Sequence, residues 1–522
     1  GTIAIGYYAG SKITSGQKNT IIGYQAGDAI TDGDSATIIG YQAGTALTPT
    51  AEQGSTLIGK EAGKALTTGP YNTAIGRAAL RTATTTNSCI AIGDSAMQYT
   101  PASTAIIGVI ALGVNTLGDA TGLSTTANYS IAIGGSAGNN AGNLAGEFVI
   151  IGNNAGQKIN GTGVVHIGYE AGYYASGSYN TFVGGDAGKG GTTSAPFSTG
   201  KHNTAVGASA LAGFTTGQYN TTVGKDAGKA ITTANYNTFV GAWAGDAATE
   251  SGYNTVVGFQ AFSDAVDGSS HTVAIGYQAG KAITTGDGNI MIGASAGNTT
   301  TDVDKAVIIG QNAGQANMTS AADGTIAIGY EAGKSITSGA RQTFLGYQAG
   351  YSTTTGQENV FIGYQAGYSN LDNHGNIYIG KQVAYNVADG SYNVAIGEEA
   401  MKSTGTAANN HPSYNVAVGN QAGYNLTTGD NNVFLGSRAG YASTTTQGNV
   451  AIGYEAGRYI VTSAGQTAVG YQAMRSMVDG HSNTAFGYQA LTSEVASDES
   501  TAIGYQALTN QSGSTTTLGN TA

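Results

Sequence analysis

A short apolar burst followed by glycine recurs along the whole chain, and between bursts the sequence turns polar, rich in Gly, Thr and Asn. Twenty-nine such anchor glycines run from Gly6 to Gly504, and 18 of the 28 intervals between them are 17 residues long. The unit reads roughly N-T-(A/F/I)-(I/V)-G-Y-Q-A-G-x-A-I-T-T-G-x-x, and Asn19 to Ser35 is a good copy. A fixed period of this kind marks a stack of units that cannot bury their apolar faces alone. The pattern predicts an all-β fold: a parallel β-solenoid, or β-roll, of about 29 coils with two short strands per coil. It runs as one continuous domain over residues 1–522.

The burst itself predicts the first strand. The residue before the anchor glycine is aliphatic in every copy but one, which has Phe486. Two residues earlier stands Thr, Val or Ile, as at Thr20, Thr73, Val360 and Val450. Alternate residues share a strand face, so these two positions look one way and the residue between them looks the other. That middle residue is Ala or large and apolar, and only His166 and Thr222 depart from this. A strand apolar on both faces is covered on both. One cover is the chain's own winding. For the other, the expectation is a sister chain, meeting an apolar face made of Ile21, Phe182, Phe239, Phe344, Phe361 and Phe434.

After the anchor glycine comes a corner. The third residue on is nearly always Ala (Ala26, Ala62, Ala79), with Val383 an exception, which predicts a cramped inward site. The next residue is Gly in most copies and Leu, Met or Phe in others, such as Leu80, Met97 and Phe262. Gly there points to positive φ, so two versions of the corner are expected. The second strand is expected at stretches such as Ile30-Thr31 and Leu66-Thr67-Thr68. Larger loop insertions fall near 114–129, 190–202 and 404–414. Asn directly before the first strand, as at Asn72, Asn220 and Asn483, suits a turn whose backbone its side chain can bond.

Composition narrows the class. With 84 Gly but no three-residue period, the chain is not collagen-like. Its 31 Tyr and many β-branched residues argue against disorder. A net charge of −11 disfavours a nucleic-acid partner, which calls for a basic stripe. No run of apolar residues is long enough to span a membrane as a helix. Cys89 is the lone cysteine. The six histidines (His166, His202, His271, His374, His411 and His481) are scattered without metal-ligand spacing, and no acid pair repeats. No cofactor, metal or catalytic residue is therefore expected, and the chain reads as a non-enzyme. Twelve tyrosines follow an anchor glycine. They predict stacking at a corner, and a surface aromatic strip of Tyr24, Tyr41, Tyr277, Tyr330, Tyr347, Tyr364, Tyr454, Tyr471, Tyr488 and Tyr505 that could meet glycans.

The N-T-A-x-G-Y-x-A-(L/G) unit, as in Asn72-Thr73-Ala74-Ile75-Gly76 and Thr501-Ala502-Ile503-Gly504-Tyr505-Gln506-Ala507-Leu508, resembles repeats of bacterial and phage tail-fibre-like surface proteins. It is also similar to the head repeats of trimeric autotransporter adhesins, whose unit reads roughly N-S-V-A-I-G. The resemblance covers the whole chain. The 17-residue period is longer than the adhesin head unit, and the sequence carries no heptad stalk, membrane anchor or chaperone domain. The resemblance implies a β-roll homotrimer displayed on a cell or virion surface and used in attachment. The expected function is thus an extracellular structural fibre or adhesin shaft whose partners are copies of itself, including end-to-end filaments, and a host glycan or protein receptor. A glycan-binding or ice-binding surface is the alternative expectation.

Overall fold

The computed structural model describes residues 1–48, 54–101, 105–119, 123, 127–142, 144–192, 197–266, 268–493, 498–509 and 521–522. Parts of the insertions near 114–129 and 190–202 lie outside the described residues. The chain gathers into two compact units, Gly1–Asp267 and Gly268–Ala522. The first carries fifteen three-residue strands, from Ile3–Ile5 to Thr255–Val257, and the second fourteen, from Val273–Ile275 to Thr501–Ile503. Within each unit every strand pairs in parallel with the strand of the next coil, like position against like: Ile21 with Ile38, Phe344 with Phe361, Phe361 with Tyr378. Each unit is a β-solenoid with a repeat near 17 residues and almost no helix. The insertion at 404–414 holds a single short 3-10 turn, Ala407–Asn409.

Among the described residues each coil contributes one strand, not two. Where the second was expected, the amides of Thr14 and Ser15 both donate to the carbonyl of Thr31, at 2.7 and 3.2 Å. Two donors on one acceptor do not extend into a ladder. Ile30, Leu66 and Ile231 of this half still point inward and are buried.

The inward residue of each strand is the middle one. Ile21, Phe182, Phe239, Phe344, Phe361 and Phe434 have 0% exposure within the single chain. They fill the chain's own core, so the expectation that they form the face toward a sister chain is corrected. The physical reason is parity. Asn before the strand is two residues from the middle position, so it shares the inward side, and the residues flanking the middle one look outward.

The corner likewise has one backbone, not two. Gly27 has φ 53°, and Leu80, Met97 and Leu211 sit in the same left-handed region at 51°, 50° and 54°. What changes is the partner across the core. Leu80, Met97, Leu211, Met401, Met474 and Leu491 each share their coil with a strand Ala, namely Ala74, Ala91, Ala205, Ala395, Ala468 and Ala485, all buried. In these six coils the large side chain comes from the corner in place of the strand.

The pre-strand asparagines form a buried ladder. The amides of Asn376, Asn393, Asn415, Asn432 and Asn449 donate to the side-chain oxygen of the preceding rung at 2.9, 2.8, 3.0, 2.9 and 3.0 Å. Their Nδ2 groups donate to a carbonyl further along, as Asn432 does to Thr446 at 2.8 Å. Gln342 and Gln466 serve as rungs too, accepting from Asn359 and Asn483 at 3.2 and 3.1 Å. The side chain bonds the next coil, not only its own turn.

Candidate functional site

With the middle residue inside, the other two strand residues face out and make two parallel files. The file next to the anchor glycine is aliphatic or Phe in every coil, and the second file holds Thr, Val or Ile. Leu345 and Leu435 are 43% and 44% exposed, and Ile92, Val206, Ile290 and Ile377 stand out similarly. A flat parallel sheet face this apolar is ordinarily covered. The threonines are continuous in places: Thr20, Thr37, Thr56 and Thr73 lie in register, as do Thr181, Thr204, Thr221, Thr238 and Thr255. Sequence reasoning recognised a doubly apolar strand but assigned its faces in reverse.

The ten tyrosines of the expected strip are all exposed. Those on adjacent coils stack. Tyr24 and Tyr41 lie 5.3 Å apart between ring centroids, Tyr330 and Tyr347 5.2 Å, Tyr347 and Tyr364 5.1 Å. Tyr454, Tyr471, Tyr488 and Tyr505 continue at 5.3, 5.1 and 5.1 Å, with planes within 17° of parallel. A second file runs Tyr179, His202, Tyr219, Tyr236 and Tyr253, each 5.0 to 5.1 Å from the next. In such stacks ring faces meet ring faces, and the edges and hydroxyls meet water. Beside the first file runs a glutamine file in which Gln365 donates to Gln348 and Gln489 to Gln472, both at 2.9 Å.

Charged side chains pair within coils and between them. Lys189 bridges Glu170 and Asp186, the latter at 3.0 Å, and Lys334 reaches Glu331 at 2.7 Å. The hydrogen bond from Lys189 holds the Glu170 carboxyl below its usual range despite partial burial. Among the described residues no group of three or more His, Cys, Asp or Glu is placed to hold a metal ion. His166 is a core residue of the strand Val165–Ile167, stacked 5.0 Å from Phe182. Among the described residues no helix is long and apolar enough to cross a membrane.

These features define the class: a parallel β-solenoid repeat protein with an apolar outward sheet face and external aromatic files. No protein-family model matches the chain, and no curated protein matches it significantly.

Proposed function

We propose that the protein is a structural fibre or adhesin shaft on a cell or virion surface, assembled as a homotrimer through the outward faces of its strands. One observation carries this reading: the file before the anchor glycine is aliphatic or Phe in all 29 coils, yet it is left half-exposed by the chain's own winding. A position held constant over so many coils has a constant neighbour. A second copy of the same file, with the same spacing, matches it coil for coil. The stacked tyrosines support a load-bearing role, because their ring faces are spent on one another and are not free to lie against sugar rings.

The test is the mass of the native particle. The expected value is three times that of the 52.1 kDa chain. A particle of one chain's mass overturns the assembly and with it the shaft. The in-register threonines favour a second reading, an ice-binding face, in which a monomer shows thermal hysteresis that is lost when Thr56 and Thr73 are replaced by Lys.

A further inference from the structure

Glu455 stands at the centre of an arginine cluster. Its carboxylate lies 2.6 Å from Arg458 Nη1, 2.8 Å from Arg475 Nε and 3.9 Å from Arg438 Nη1. At the same position of other coils Glu331 and Glu399 each meet one lysine, and Glu61 meets Lys64 and Arg81. Three guanidinium groups against one carboxylate leave two positive charges over, on a chain whose net charge is −11.

The cations are held in place. Arg458 lies 5.6 Å from the ring centroid of Tyr441 and 5.0 Å from that of Tyr459, and Arg475 lies 5.8 Å from Tyr459. Arg438 Nε donates to Gln421 at 3.1 Å. Arg458 Nε is buried without a hydrogen-bond partner. Burial alone would raise the Glu455 pKa, but the bonds from Arg475 and Gln472 and the charges of Arg458 and Arg475 bring it below its usual value. Glu455 therefore stays ionised and spent, while donors around it remain. A crowded, partly desolvated surplus of like charge is unfavourable until an anion joins it.

We propose that Arg438, Arg458 and Arg475 form a binding site for a doubly charged tetrahedral oxyanion, sulfate or phosphate, either free or as an ester group on a polymer. Two charges match the surplus, and the guanidinium fork offers paired N–H groups to pairs of oxygens. The site stands independently of the assembly proposed above.

The experiment is calorimetric titration of the intact chain with sulfate and phosphate against chloride at matched ionic strength, and with dextran sulfate against dextran. Sulfate or phosphate is expected to bind and chloride not. Replacing both Arg458→Gln and Arg475→Gln weakens binding at least tenfold. Arg341→Gln, which breaks a 2.6 Å ion pair with Glu358 elsewhere, leaves it unchanged. Glu455→Gln tightens binding, because it enlarges the surplus; a purely structural ion-pair network predicts no such gain. Dextran sulfate binding tenfold tighter than free sulfate assigns the oxyanion to a polymer, and equal affinity assigns it to the free ion. Chloride binding as well as sulfate, or Glu455→Gln binding no tighter than the native chain, overturns the site even where the double variant fails to fold.

Discussion

Phe344 and Gly350 compete for one space: a Cβ built on Gly350 would come within 2.7 Å of the Phe344 ring. The same holds for Phe434 and Gly440, at 2.5 Å. Gly350 is needed less for its φ of 61° than for its missing side chain, since Met401 and Leu80 hold the same backbone region at 50° and 51°. Gly350→Leu is therefore expected to destabilise the second unit by about 3 kcal/mol, the sum of overpacking and a left-handed backbone. Adding Phe344→Ala recreates the arrangement of Ala395 with Met401 and should recover most of the loss. Thermal melts of the single and double variants measure this; a double variant less stable than Gly350→Leu alone contradicts the shared-volume account.

The asparagine ladder makes a sharper distinction. Asn432 accepts from the amide of Asn449 at 3.0 Å and donates to the carbonyl of Thr446 at 2.8 Å. Asn432→Leu leaves both groups buried without partners, which costs about 2–4 kcal/mol. Asn432→Gln is expected to cost under about 1 kcal/mol, because Gln342 and Gln466 already serve as rungs. Denaturant melts rank the two; equal losses contradict a ladder role.

His166 makes stability depend on pH. Both ring nitrogens are buried without partners, and burial pushes its pKa down from 6.5 to about 3. The unfolded chain therefore takes up a proton between pH 6.5 and 3 that the folded chain refuses. Stability contributed by the neutral imidazole is intact above pH 6.5 and falls as pH drops through that window, by about 1.4 kcal/mol per unit. His166→Phe extends the stack on Phe182 and removes this slope. Melting temperatures from pH 7 to 4.5 should fall less steeply in the variant; parallel curves contradict the assignment.

The period, the anchor glycine and the corner alanine were legible in the sequence because each answers a steric demand that recurs from coil to coil, the alanine with exceptions such as Val383. A Cβ on Gly346 would come within 2.7 Å of the carbonyl carbon of Gly363, so the strand end admits nothing larger. The orientation of the strand was not legible from Ile21 and Ile22 alone, since both are aliphatic. The clue lay two residues earlier: Asn19 is buried and shares parity with Ile21. Thr-rich stretches such as Thr67-Thr68 suggested a strand by propensity, but the bonds there converge on a single acceptor, Thr84. The Glu455 cluster joins residues of three coils, a juxtaposition that exists only once the coil register is known.

Phe434 and Leu435 are neighbours in one strand with opposite fates. Phe434 is fully buried in the core, and Leu435 stands in the outward file at 44% exposure. Phe434→Lys places a charge where no partner exists and should unfold the surrounding coils, lowering the melting temperature steeply. Leu435→Lys leaves the coil intact, since the side chain already meets water in the single chain. Its cost falls instead on the assembly, where three lysines, one from each sister chain, would meet in an apolar seam. Circular dichroism should show a native fold for Leu435→Lys, while light scattering shows a shift from the mass of three chains toward one. A Leu435→Lys particle that keeps the native mass means that the outward aliphatic file is not where the chains join.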